Sequence, residues 1–333
     1  MWFRQDALIN VGLIHSHTIR NPPRAPGSYR PGTVFDDLVR SGRYPTWGTS
    51  ADPRRATYRP TIVANVRVDL YDEAKGAAMS QPTLTMTRTP VRQYSPRAVL
   101  AIWAAAALPM GVLAWVVAPA LARAGTGPSR FPIALLGAIT AGLIWQFVLL
   151  LALVYREQRS VRWSVLREAL WLGPPTDQAG RRGGRLWWWA LAVTAGVAAM
   201  ELLPLNPPGP ANRAFGEFLG SADGQALLHG NWALFALILV GFVFNTVLGE
   251  ELLFRGLLLP RMRGAFGKAD WIANGVLFGV YHLHQPWSIP NSITTGLLMA
   301  YATRRWRSAW LGIIAHSAQS VAFTVIVFAV VVS

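Results

Sequence analysis

Glu250-Glu251-Leu-Leu-Phe254-Arg255 sets three ionisable side chains inside an apolar stretch that begins at Trp232 and runs through FALILVGFVFNTVLG. A carboxylate on a helix facing hydrocarbon costs about 2.5–3.5 kcal/mol on insertion scales. Two consecutive ones persist only where partners, water or a metal receive them, so intramembrane ionisable residues are functional-site candidates. On a helix Glu251 and Arg255 are four apart and share a face, as do Glu250 and Phe254. An ion pair between Glu251 and Arg255 fixes the helix and leaves Glu250 free to project into the bundle.

Two further apolar runs carry histidines. One holds Phe278-Gly-Val-Tyr-His282 followed by His284; the other holds His316, with Gln319 and Ser320 three and four residues on. A neutral imidazole in such a run can ligate a metal or carry a proton. Phe278 is one turn before His282 and is placed to pack beneath its ring. His284, about 200° around the helix and close to Pro286, is expected at the interface. At a rise of 1.5 Å per residue, Glu250, His282 and His316 lie at depths of roughly 15, 18 and 12 Å from the arginine-rich side. Three separate segments thus bring ionisable groups to one layer. A carboxylate and two imidazoles can bind a divalent ion such as zinc and activate its water. Alternatively, Glu250 deprotonates a water directly, while His316 and the Gln319 amide donate to a developing oxyanion. Both routes hydrolyse a carbonyl-type bond. The spacing is not the H-E-x-x-H of soluble metalloproteases, so any metal site is assembled across helices.

The elements that must position these groups follow from composition. The chain has 333 residues, of which 52% are hydrophobic and 14% charged, against about 25% charged in soluble domains. This is an all-α, polytopic membrane bundle. With no cysteine, disulfides and thiolate chemistry are excluded. The net charge of +15 is almost entirely arginine in loops beside apolar runs, a sign of membrane orientation rather than of nucleic-acid binding. The fifteen tryptophans suit the headgroup boundary.

Residues 1–96, rich in Arg, Pro, Thr and Ser, predict a mostly disordered extension, with one isolated strand candidate at Val66–Leu70. Translation starting at Met79 or Met86 would make most of it an artefact of the gene. Residues 97–333 form the bundle, with spans expected at 98–121, 131–155, 186–203, 231–259, 270–285, 289–304 and 308–332. Alternate loops are basic, which predicts seven spans with the N-terminus cytosolic and the C-terminus outside. Segments 160–172 and 214–229 are expected as helices lying in the headgroup plane, the first with Val161, Val165, Leu166 and Ala169 near one face.

Glu250-Glu251-x-x-Phe254-Arg255, Phe278-x-x-x-His282 and His316 resemble the three motifs of the CPBP family of intramembrane metalloproteases. That family includes the type II CAAX prenyl endopeptidases and bacterial bacteriocin-processing and immunity (Abi-like) proteins. The resemblance spans about residues 231–325. It implies that Glu250 and His282 activate the attacking water and that His316 supports the oxyanion, with zinc as a candidate metal. The third motif commonly has Asn four residues after its His; this chain has Ser320 there, with Gln319 beside it. The resemblance thus implies an endopeptidase of a bacterial cytoplasmic membrane, acting on membrane-associated or hydrophobic peptides. Two other readings follow from the same residues: a catalytically weakened peptide-binding, immunity or scaffold protein, motivated by Ser320, and a proton-coupled carrier using Glu250, Glu251 and the histidines as a relay.

Overall fold

A computed structural model describes residues 91–125 and 129–333. The expectations for residues 1–90, including the strand candidate and the alternative starts, lie outside the described residues. Among the described residues the fold is helical and no strand forms. The chain begins to pack before residue 96. Gln93 accepts from the Gly264 amide, and the Tyr94 amide donates to the Arg261 carbonyl at 2.9 Å.

Among the described residues four helices are long and apolar enough to cross a membrane: α1 (Pro96–Ala124), α2 (Arg130–Gln158), α7 (Trp232–Arg261) and α10 (Trp310–Val332). Between them lie α3 (Trp163–Ala169), α4 (Trp188–Glu201), α5 (Phe215–Gly220), α6 (Ala222–Leu228), α8 (Asp270–Tyr281) and α9 (Ile289–Trp306). These four helices make the protein an integral membrane protein. Three of the seven expected spans are shorter. α8 has 12 residues and rises about 18 Å, against a hydrocarbon core of about 30 Å. Helix α3 covers only Trp163–Ala169 of the expected 160–172; Ala169 is buried and Val165 and Leu166 are half-buried, whereas Val161, expected on the same face, precedes the helix and is exposed.

Local sequence explains the ends of these elements. The Ser95 hydroxyl caps α1 by accepting from the Ala98 amide, and Pro96 occupies a first-turn position whose missing N–H costs nothing. Arg159 and Arg307, each in a left-handed conformation, terminate α2 and α9.

Glycines set the closest helix approach. α8 and α9 form an antiparallel hairpin in which a Cβ on Gly275 would stand 2.7 Å from the Leu297 backbone, and one on Gly279 2.7 Å from the Ile293 amide nitrogen. Helices that associate in lipid gain from such close packing, because apolar burial alone gives no advantage there. The core so formed holds Met110, Leu150, Leu253, Leu257, Phe278, Tyr281, Met299 and Leu311, while Leu108, Val116, Val148, Leu191, Val240, Val321 and Val325 face outward as a lipid-compatible rim.

The arginine-rich end is closed by polar contacts. Arg261, 1% exposed, pairs with Glu157 at 2.7 Å and donates to the carbonyls of Ala169 and Leu257, joining α2, α3 and α7. Residues 171–177 clasp the α9–α10 turn through Trp171 carbonyl to Ala309, Leu172 carbonyl to Trp310 and Gly173 carbonyl to Ser308. The hairpin contacts carry a direct consequence. Gly279→Val, which forces a side chain into the α9 backbone, is expected to cost at least about 1–3 kcal/mol. A lowered melting temperature of the detergent-purified protein checks this, with Gly137→Ala, which meets nothing within 4 Å, as the tolerated control.

Candidate active site

Helix α7 carries its acidic pair between two widened turns. The backbone is π-helical over Phe244–Gly249 and again over Leu252–Leu258, with Glu250 and Glu251 between them. Each π turn adds a residue to the ladder and shifts the side-chain phase, a feature frequent at functional sites. Gly249 permits the approach of α2: a Cβ there would lie 2.6 Å from the Phe244 carbonyl and 3.1 Å from the Leu143 carbonyl.

Glu250, Glu251 and Arg255 are all essentially inaccessible. The expected ion pair forms, with Arg255 Nη1 at 3.2 Å from Glu251 Oε1. The same carboxylate oxygen receives His316 Nδ1 at 3.2 Å. Glu251 therefore ties α7 to α10, and Arg255 ties α7 to α9 by donating to the Gly296 carbonyl at 3.3 Å. Gly312 on α10 makes room, since a Cβ there would collide with Glu251 Oε2 and stand 3.3 Å from Arg255 Cγ.

Phe278 is the apolar centre of the cluster. The Arg255 guanidinium lies 3.9 Å over its ring, a cation–π contact strengthened by desolvation. His282 meets it edge-on at 5.1 Å and His316 at 6.0 Å, and Phe254 packs against it at 5.3 Å. Phe278 thus touches both imidazoles; its spacing from His282 led one to expect the first contact, though beneath the ring rather than edge-on, and not the contact with His316.

Hydrogen bonds assign the ring nitrogens. His282 Nδ1 lies 3.0 Å from the Phe278 carbonyl, which can only accept, so Nδ1 carries the proton and Nε2 is the free nitrogen. His316 Nδ1 faces a carboxylate and donates likewise, presenting its own Nε2. Several buried polar atoms lack hydrogen-bond partners: Glu250 Oε2, Glu251 Oε2, and Nε and Nη1 of Arg255. Buried atoms of this kind are where a water or a substrate amide belongs.

Some expectations are corrected. His284 is buried rather than interfacial, and its ring stacks on that of His282 at 5.4 Å. The cause is that α8 ends at Tyr281, so His282 is its C-cap and helical phase no longer governs the residues beyond it. The Gln319 amide is committed to Glu201 Oε1 at 3.0 Å, and Ser320 is buried on α10 one turn past His316. Sequence reasoning missed Glu201, Tyr281 and Gln146. Glu201 and Gln146 were each detectable as a lone polar residue in an apolar run.

A metal was the other expectation. Among the described residues no three His, Cys, Asp or Glu side chains converge to hold an ion. Glu251 Oε1, the best-placed carboxylate oxygen for His316, is already shared with Arg255. As arranged, the described residues present no three-ligand cation site.

The two glutamates differ in what supports them, which separates their substitutions. Glu251→Gln strands the buried Arg255 guanidinium and is expected to destabilise the fold by about 3–5 kcal/mol. Glu250→Gln removes no ion pair and is expected to melt within a few degrees of wild type; thermal scans of both variants check the contrast.

No curated protein and no solved structure matches the chain. Residues 231–322, which hold Glu250, Glu251, Arg255, His282 and His316, match the family described as type II CAAX prenyl endopeptidase Rce1-like, and this part of the chain is therefore similar to the endopeptidases of that family.

Proposed function

We propose that the protein is an intramembrane endopeptidase that hydrolyses peptide bonds of membrane-associated or hydrophobic substrates. The observation that carries this reading is the buried Glu250 carboxylate, with Oε2 unpartnered, next in sequence to Glu251, which receives His316, on a helix long and apolar enough to span. The match of residues 231–322 to a CAAX prenyl endopeptidase family supports the reaction class.

The reaction follows from the free atoms. His282 Nε2 accepts a hydrogen bond from a water, and Glu250 Oε2 takes the water's other proton as the oxygen adds to the scissile carbonyl carbon. The carbonyl oxygen becomes an oxyanion. His316, fixed through Nδ1 by Glu251, donates from Nε2 when protonated there and stabilises that charge. Glu250 then returns its proton to the amide nitrogen as the oxyanion re-forms the carbonyl and the C–N bond breaks, leaving a carboxylic acid and an amine. Arg255 and Phe278 hold the imidazoles in place throughout. Ser320 is a shorter donor than the usual Asn, so His316 carries more of the oxyanion contact.

The test is cleavage of a quenched hydrophobic-peptide library by the full chain in nanodiscs. Glu250→Gln, His282→Asn and His316→Gln are each expected to lower kcat/KM by about 10²–10⁴-fold. Absence of cleavage by wild type, or activity retained in Glu250→Gln, contradicts the assignment. The same assay after chelation, with and without added zinc, shows whether a metal joins the site: activity lost to chelator and restored by zinc adds one.

We further propose that the chain passes the bilayer seven times, with the arginine-rich loops on one side and the 204–230 segment and C-terminus on the other. The alternation of loop charge supports this. Because the native chain has no cysteine, single cysteines report sidedness without background. Ser164→Cys and Arg182→Cys are expected to label from one side, Ser221→Cys and Ser333→Cys from the other. Labelling of all four from one side contradicts the arrangement.

A further inference from the structure

A group of arginines and tryptophans lies outside the acidic site, where the loop before α4 meets the end of α9. The loop reads Arg181-Arg182-Gly-Gly-Arg185-Leu-Trp-Trp-Trp189, and α9 ends on Arg304-Arg305-Trp306 with Arg307 as its cap. Hydrogen bonds bring the two together. The Thr176 amide donates to the Trp306 carbonyl at 2.8 Å, Arg307 Nη2 donates to the Asp177 carbonyl at 3.2 Å, and Thr176 bridges to Arg182. The Trp189 ring packs on the Trp306 ring with centroids 4.6 Å apart and planes 31° from parallel. The loop, the start of α4 and the end of α9 thus present their cations in one patch.

Two acids answer part of this charge. Arg181 pairs with Asp177 at 2.6 Å, and Arg304 pairs with Asp270 at 2.7 Å. Among the described residues Arg182, Arg185, Arg305 and Arg307 are in no ion pair. Arg305 is half-buried and the other three are exposed. The Arg305 guanidinium lies 5.6 Å over the Trp306 ring, and its Nη1 is buried with no hydrogen-bond partner. A charged donor withdrawn from water is costly unless an acceptor reaches it. The fold gives this nitrogen no acceptor, so the side chain gains by turning to an anion at the open side of the patch.

The tryptophans locate the patch in the bilayer. Trp187, Trp188 and Trp189 are 37%, 69% and 46% exposed, and indole rings of a membrane protein settle at the headgroup boundary. An arginine fork matches the oxygens of a phosphate and is more weakly hydrated than an ammonium. Phosphates held at that depth, with apolar chains below them, are those of phospholipids. A zwitterionic headgroup carries its own cation, whereas an anionic one leaves its charge for the protein.

We propose that Arg182, Arg185, Arg305 and Arg307, beside Trp189 and Trp306, form a binding site for the phosphate of an anionic phospholipid such as phosphatidylglycerol. The bound headgroup ties the loop before α4 to the end of α9. The site stands apart from the endopeptidase reading and needs only that the chain is embedded in a bilayer.

The test takes the full chain from nanodiscs of equimolar phosphatidylglycerol and phosphatidylcholine into detergent and counts the retained lipids by native mass spectrometry. Wild type is expected to retain phosphatidylglycerol in excess. Arg305→Gln and, separately, Arg185→Gln are each expected to lower that excess about fivefold. Arg305→Lys, which keeps the charge, is expected to lower it less. Arg156→Gln removes an exposed arginine at the end of α2 and is expected to leave the excess unchanged. Melting temperature gives a second readout. Replacing phosphatidylcholine by phosphatidylglycerol is expected to raise it in wild type, because a ligand of the native state stabilises that state, and to raise it less in Arg185→Gln. Should Arg305→Gln not fold, Arg185→Gln decides alone, since the Arg185 side chain makes no hydrogen bond among the described residues. Equal retention of the two lipids by wild type overturns the proposal. So does an equal fall in Arg156→Gln, which would leave only net charge at work. Displacement of the lipid by millimolar inorganic phosphate or by a soluble acidic peptide also overturns it.

Discussion

The Glu251 carboxylate is the constraint on which the rest depends. It is fully buried in a helix apolar enough to span a bilayer, and one of its oxygens receives both Arg255 and His316 at 3.2 Å. A desolvated ion pair seldom adds net stability, but removing one partner is severe because the other charge is left buried. The three side chains therefore require one another. Their mutual requirement fixes α7 against α10, and the Arg255 contact with the Gly296 carbonyl fixes α7 against α9. Gly312 and Gly296 are small for this reason: a Cβ at either would press on the ion pair or on the aromatic ring beneath it.

That arrangement divides labour between adjacent acids. Glu251 is consumed by structure, holding an arginine and an imidazole. Glu250, one residue earlier, is in no ion pair among the described residues, and Oε2 of each acid is unpartnered in the same dry environment. The π turns on either side of the pair allow successive residues to face such different surroundings. Phe278 completes the division by supporting Arg255 with its face and both histidines with its edges and neighbouring contacts.

The sequence carried those parts of the site that are local. Four-residue spacing announced the Glu251–Arg255 pair and the Phe278–His282 contact, and the depth argument placed His316 in the layer of the glutamates. What it did not carry depends on where helices end and which ones adjoin. His284 was misplaced because α8 stops at Tyr281, and nothing in FGVYHLH marks that break. The π turns in α7 leave no signature that distinguishes them from regular helix. Tyr281 and Gln146 meet only because Gly249 lets α2 approach, and the Gln319 amide is occupied only because α4 delivers Glu201 beside α10. The sequence suggests seven apolar runs, whereas among the described residues four helices have the length and hydropathy to cross unaided. The helical class follows from the apolar runs, whereas the close α8–α9 approach, set by glycines at 275 and 279, is visible only in the structure.

Water activation by Glu250 is the central claim, and the affinity of a hydrated peptide trifluoromethyl ketone measures it most directly, because the hydrate mimics the tetrahedral state and not the substrate. Transition-state mimics bind at least about 10²-fold tighter than substrates where the complementary groups are in place. The account predicts that wild type binds the hydrate tightly and that Glu250→Gln, folded and equally stable, loses about 10²-fold or more of that affinity while binding the uncleaved peptide as before. Equal affinity of the two proteins for the hydrate would contradict it.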